Sequence, residues 1–248
     1  MHNKLHTKLI LAAGIFLSLA AHADNIKYAY NLPPSADLQY AIKARQSGLS
    51  LSGDATVKWL VSGAANEQKY SVVTETRAML VGKILDASST GIIDSFGLAP
   101  EKFTEKRFRK AETVTSFDRT ARQIRFTEST EKYVIKGGEQ DRTSAVWQLI
   151  ALARAAGDRF KAGSEWNFLV AGRRDADPWS FKVNGYENLR TALGNMETVH
   201  VVRAPPPDAK DQQLDLWLAP SLDWYPVRVK FEDADGDYVD QMISNIKK

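Results

Sequence analysis

The chain has 248 residues, 44% of them hydrophobic, with 33 basic and 30 acidic side chains and no cysteine. A net charge of +3 gives no whole-protein attraction for nucleic acid, and without cysteine there is no disulfide, thiol nucleophile, lipid-attachment cysteine or thiolate zinc site. The length admits one large domain or two small ones.

Residues 1–23 read as an export signal. Lys4 and Lys8 form a basic start, Leu9 to Ala21 an apolar run short for a bilayer span, and Ala21-His22-Ala23 a small-x-small cleavage site. The expected location is the periplasm, after cleavage behind Ala23, leaving 24–248 as a single β-rich domain. Removing the leader takes His2, His6 and His22, so His200 is the one histidine retained, and 31 basic residues then face 30 acidic ones. A histidine-rich metal site is starved of ligands, and no metal or cofactor is expected. His200 lies in "METVHVVRA", which reads as a strand rather than as the base of a catalytic triad.

Past the "LPPSA" segment at 32–36, period two dominates. In "LSLSGDATVKWLV" Leu49, Leu51, Ala55, Val57, Trp59 and Val61 share one face of a half-buried antiparallel strand, and Gly53 on that face marks a bulge, bend or close backbone approach. The turn "GAAN" leads to "EQKYSVVTETRAML" and then "GKILDASSTGIID". Further strands are expected at 109–117, 122–128, 132–136, 165–171, 179–183 and 197–203. Between Lys102 and Arg125 eight basic residues stand against three acidic ones, a stretch that suits a solvated strand face or an anionic membrane surface at roughly 1 kcal/mol per basic residue.

One segment breaks the period. In "DRTSAVWQLIALARAAGDRF" Thr143 or Ser144 can cap a helix, Val146, Leu149, Ile150 and Ala153 recur at helical spacing, Trp147 flanks that stripe, and Gly157 can end it. Pro205 to Pro207 mark a loop. Beyond it "DLWLAPSLDWYPVRVKFEDADGDYVDQMI" divides into three strand runs, with Pro226 at a strand start and Asp235-Gly236 expected as a type I′ hairpin turn. "DADGD" lacks the glutamate and flanking helices of a calcium loop. The expected fold is mainly β, a large curved antiparallel sheet or half-open β-barrel of about a dozen strands with one principal α-helix packed on it.

Three stretches, "GLAPEKFTEKR", "DRTSAVWQLIALAR" and "WLAPSLDWYPVRVKFEDADG", resemble the bacterial family called domain of unknown function 3108 (DUF3108), over residues 37–246. Gly97, Leu98 and Pro100 match its Gly-Leu-x-Pro element, Asp141 and Ser144 the helix start, and Trp217, Leu218, Ala219, Pro220, Tyr225, Pro226, Val227 and Arg228 the C-terminal signature. Trp224 stands where similar proteins often carry a smaller, glycine-like residue. The resemblance implies an exported, β-rich protein without an assigned activity, and a structural signature that Gly53 and Gly236 complement as turn or close-approach positions.

Two readings of function stand. In the first, a non-catalytic envelope protein holds a lipid-like ligand, or a lipoprotein or outer-membrane client, in a curved sheet beside its helix, lined by Trp59, Trp147, Leu149, Ile150, Trp217 and Tyr225. Trp166, Trp179 and Trp224 complete the tryptophan set, which serves equally as core. In the second, Asp223, Asp233, Asp235 and Asp237 supply paired carboxylates for glycan hydrolysis, although all four lie in turns, where Asp favours backbone hydrogen bonding. A scaffold without a small ligand is the remaining alternative.

Overall fold

The computed structural model describes residues 26–64, 66–204 and 212–248. The leader, its cleavage site and Pro205 to Pro207 lie outside the described residues. The strands are β1 (Ala36–Gln46), β2 (Leu49–Ser62), β3 (Lys69–Ala78), β4 (Gly82–Asp94), β5 (Gly97–Arg107), β6 (Thr113–Asp118), β7 (Gln123–Phe126), β8 (Lys132–Val134) and β9 (Gln140–Asp141). Helix α1 (Ser144–Ala156) follows, then β10 (Glu165–Ala171), β11 (Ala176–Thr191), β12 (Gly194–Arg203), β13 (Gln213–Ala219), β14 (Tyr225–Glu232) and β15 (Tyr238–Lys247).

All fifteen strands belong to one sheet, ordered β8-β7-β6-β5-β4-β3-β2-β1-β15-β14-β13-β12-β11-β10-β9. Among the described strands only the short β9 is parallel to its neighbour. The chain meanders from β1 out to β8, crosses through α1, and meanders back until β15 pairs with β1. Alternation sets the faces: in β1, Leu38, Tyr40 and Ile42 are buried while Gln39, Ala41 and Lys43 are exposed. The sheet is open, its edges being β8 and β9, but it curls so far that strands near the two edges meet through side chains. Thr115 Oγ1 donates to the Gly172 carbonyl at 2.7 Å, and Phe103, Phe117 and Ile124 pack with Ala171 and Ala176 in a small second core.

The helix lies inside this curl. Leu149, Ile150, Ala151 and Leu152 are fully buried, and Trp147 retains 3% of its surface. A single apolar stripe is therefore the wrong template for α1, because a helix enclosed by a curled sheet is buried nearly all round. Val146, a member of the expected stripe, is among the half-buried residues. Residues 26–35 run across α1: the Asn31 amide donates to Ala151 O at 2.9 Å, Trp59 Nε1 to Pro33 O at 3.0 Å, and Tyr225 Oη to Pro34 O at 2.7 Å.

Several local expectations take a different form. Neither Thr143 nor Ser144 caps the helix through its side chain; the Asp141 carboxylate does, accepting the Thr143 and Ser144 amides at 2.8 Å each. The register through Gly53 is continuous, so it is a close-approach glycine, where a Cβ would lie 2.0 Å from Arg77 O. Gly236 has φ 80°, but Asp235 does not share its left-handed backbone. The bonds Gly236 N to Asp233 O and Asp233 N to Asp237 O make a three-residue loop with glycine in the left-handed position, not a type I′ turn. Pro226 sits near the start of β14, where the ladder to β13 shifts register between Trp217 and Leu218.

Candidate functional site

The family-like residues join the helix to the sheet. Gly97 has φ 104°, and its missing Cβ leaves room for the Gln148 side chain of α1, whose Oε1 would otherwise lie 2.4 Å away. Gln148 accepts from the Leu98 amide at 2.8 Å and donates to the Phe96 carbonyl at 2.7 Å, while Gln140 Nε2 donates to Leu98 O at 2.8 Å. Pro100 O accepts from Arg119 at 2.9 Å. At the other end of α1, Arg154 pairs with Asp223 at 2.9 Å, and Lys248 reaches the same carboxylate at 2.5 Å. The Lys248 hydrogen bond, then Arg154, holds the Asp223 carboxyl below its ordinary value against partial burial. Asp223 and Trp224 both have left-handed backbone, φ 52° and 65°, after the single 3-10 turn Pro220–Leu222. The bulky Trp224 tolerates this with its ring packed edge-on against Phe160 at 5.4 Å.

Trp59, Trp147 and Tyr225 come together, with Leu149 and Ile150 in the same cluster. Trp59 and Trp147 stack at 4.5 Å and 8°, Tyr70 follows at 6.0 Å, and Tyr225 meets Trp147 at 6.2 Å. Burial, with Asp223 second, pushes the Tyr225 hydroxyl up to about 12. Trp217 belongs to the same core but stands apart from this ring stack. It points from β13 opposite to Leu216 and Leu218, between His200 (4.6 Å, 7°) and the Arg228 guanidinium (4.4 Å). Arg228 in turn forms a two-pronged pair with Asp240 at 2.8 and 2.7 Å. His200 Nε2 is 2.7 Å from Asp215, and its other nitrogen 3.5 Å from Asn184. Burial raises the Asp215 carboxyl, but the bonds from His200 and Gln213 outweigh it and hold it low. Among the described residues no serine hydroxyl joins those bonds, so this is a cross-strand stack rather than a nucleophile with its base.

The four turn aspartates are divided as well. Asp223 lies beside the end of α1; Asp233, Asp235 and Asp237 share the β14–β15 turn at the opposite end of the strands. Asp233 accepts the amides of Asp235 and Asp237, and Asp237 accepts the Ser47 amide at 2.8 and 2.9 Å. These are the backbone bonds that Asp makes in turns.

Sequence alternation alone did not single out the strand half that α1 leaves uncovered. Towards the β1–β2, β3–β4 and β14–β15 turns, the concave face holds an open trough of about 150 Å³. Its apolar lining comes from Ile42, Ala44, Leu51, Ala78, Ile84 and Val239, and Arg45, Arg77, Asp233 and Asp237 supply its charged groups. The close approach at Gly53 belongs to this wall. An apolar wall with charge at the mouth suits an aliphatic chain bearing a polar end. Among the described residues no cluster of His, Cys, Asp or Glu could hold a metal ion.

Fold and site define an open β-meander wound around one helix, with an apolar trough at one end. The chain belongs to the family described as "Protein of unknown function (DUF3108)", whose model matches residues 39–243. Among solved structures it is similar to a candidate exported protein with a YmcC-like fold from Bacteroides fragilis (TM-score 0.41, 8% identity, covering 90% of this chain and 100% of that one). It is also similar to a candidate lipoprotein from Parabacteroides distasonis (TM-score 0.37, 10% identity, 90% and 100% covered). A third is a candidate outer membrane lipoprotein-sorting protein domain from Vibrio parahaemolyticus (TM-score 0.30, 8% identity, 86% and 85% covered). No curated protein matches the chain by sequence.

Proposed function

We propose that this protein is an exported, non-catalytic cell-envelope protein that holds an aliphatic, lipid-like chain in the open end of its half-barrel. The observation that carries this reading is the uncovered trough: a concave apolar surface beyond the reach of α1, walled by Ala44, Leu51, Ala78 and Val239 and flanked by charged groups. A volume of about 150 Å³ accommodates part of a chain, with its polar end left near Arg45 and Arg77. Trp59, Trp147, Leu149, Ile150 and Tyr225 are, on this reading, the packed floor against which the trough ends, and export rests on the basic-apolar-cleavage pattern of residues 1–23. A lipidated client is the macromolecular version of the same ligand chemistry.

The test is titration of a fluorescent fatty acid into delipidated protein. Saturable binding that Ala44→Trp abolishes, with an unchanged melting temperature, supports the trough. Absence of saturable binding removes the ligand and leaves a scaffold; binding that survives Ala44→Trp but fails in Leu149→Gln moves the ligand to the helix.

A further inference from the structure

Reversals between strands favour Gly, Asn, Asp, Ser and Pro, which supply the backbone angles or hydrogen bonds that a turn needs. The β3–β4 connection has Gly82 at φ 80° for this purpose and closes with Val81 N–H to Ala78 O at 3.2 Å. Its remaining residues are Met79, Leu80 and Val81, exposed by 78%, 97% and 48%. Turn chemistry does not call for them, and none of the described residues buries them. Leu49, beside the β1–β2 turn, and Phe108, in the β5–β6 turn, are also exposed at this end of the sheet.

Cations surround this apolar tip. The basic stretch 102–125 does not form one face: Arg119 and Arg122 lie at the other end of the strands, in the β6–β7 turn, whereas Lys106, Arg109 and Lys110 come to the tip. Arg45 joins them, Lys83 is already ion-paired with Glu75 at 2.6 Å and Asp86 at 3.2 Å, and the Arg109 guanidinium lies 4.9 Å from the centre of the Phe108 ring. Asp233, Asp235 and Asp237 mark the opposite side of the same end.

We propose that this end is a membrane-docking surface: Met79, Leu80 and Val81 enter the acyl region of an anionic phospholipid bilayer while Lys106, Arg109 and Lys110 meet the head-group phosphates. The charge asymmetry tilts the molecule so that its β3–β6 side approaches and the three aspartates face away. A bilayer suits the tip better than a folded protein does. A projecting aliphatic knob offers neither the broad complementary patch nor the Trp and Tyr anchors of a protein interface, whereas acyl chains need no matching shape. Among the described residues no helix is long and apolar enough to cross a membrane, and the contact proposed is peripheral. It rests on the exposed tip, not on an occupied trough, although it would set the trough mouth at the bilayer.

The experiment is co-sedimentation of the protein with vesicles of equimolar phosphatidylglycerol and phosphatidylethanolamine, compared with vesicles of phosphatidylethanolamine and phosphatidylcholine. Stronger binding to the anionic vesicles is expected, with a loss of about tenfold or more in Leu80→Asp, whose site is too exposed to affect folding, and in the double variant Arg109→Glu, Lys110→Glu. The lack of cysteine allows a site-specific readout: a polarity-sensitive dye on Leu80→Cys shifts to the blue with vesicles, and the same dye on Leu193→Cys, in the β11–β12 turn at the other end, does not. Ala44→Trp docks like the unmodified protein, so a failed ligand site and a failed docking surface are told apart. No binding to either vesicle, equal binding to both, or a shift at position 193 instead of 80 overturns the proposal.

Discussion

The two halves of the concave face carry the same alternation and meet different fates. Around α1, the inward positions Leu38, Tyr40, Ala55, Trp59 and Val72 have at most 2% of their surface exposed. Further along the same strands, Ala44 and Val239 are only half-buried and Leu51 is exposed at 39%. The difference lies in reach. A helix of 13 residues spans about 20 Å, whereas the 14 residues of β2 span about 46 Å, so α1 can fill only part of the trough that the strands define. Period two states which side of a strand faces inward; what arrives to cover that side comes from elsewhere in the chain.

The most forceful way to break this contrast is to truncate one inward side chain in each half. Trp59→Ala removes a ring stacked between Trp147 and Tyr70, together with its bond to Pro33, and is expected to cost about 3–5 kcal/mol. Leu51→Ala, on the same strand and face, is expected to change stability by about 0.5 kcal/mol or less. Urea denaturation measures both. Similar losses at the two positions would mean that the open half is packed in solution.

A smaller effect sharpens the question of what seats the helix. Gln148→Ala leaves the Leu98 amide and the Phe96 carbonyl without their partner, at an expected cost of about 2 kcal/mol. Gly97→Ala places a methyl in the space of the Gln148 side chain and strains a left-handed backbone. Its cost should shrink, without vanishing, when Gln148→Ala is already present. Additive losses in the denaturation midpoints would show that the glycine serves its backbone angle alone.

Much of the sheet was legible because period two reports strand faces directly; the β10 bounds coincide with the expected 165–171. β1 was missed although Leu38, Tyr40 and Ile42 alternate, the proline pair before it having drawn the reading towards a lead-in segment. β9 has two residues and no periodic signal to find. The "AML" of 78–80 read as the end of a strand, since apolar residues are poor turn signals, and the structure turns there instead. All six residues of the expected ligand-lining set fall in one hydrophobic core, but Trp217 leaves the ring stack around Trp147, because strand parity on β13 sets it opposite to Leu216 and Leu218. The trough itself left no local mark: Ala44 and Leu51 differ from Leu38 and Trp59 in what covers them, not in their pattern.

The subtlest prediction concerns the polar seam where α1 begins. Asp141 is fully buried; Ser89 Oγ donates to it at 2.5 Å, and the Thr143 and Ser144 amides donate at 2.8 Å. Burial raises its carboxyl from 3.8 to about 6, outweighing the hydrogen bonds from Ser89, Ser144 and Thr143 that favour the anion. A raised folded value means that the protonated form is preferred in the fold. The stabilisation from this group is therefore complete below 3.8 and is lost as the pH rises through 6. Between about pH 7.5 and about pH 5.5, acidification should add on the order of 1 kcal/mol from Asp141. Asp215 and Asp223, being held low, act in the opposite sense below about pH 5, so the full pH curve of the unmodified protein does not isolate the effect. The difference from Asp141→Asn does, since the amide can accept the two helix amides through its oxygen and donate to Ser89 without titrating. Relative to that variant, the unmodified protein should gain stability as the pH falls across this window, measured by urea denaturation at each pH. A difference that stays flat would show that water or a rearranged Ser89 solvates the anion, and that the filled half of the concave face is looser at the helix start than its packing implies.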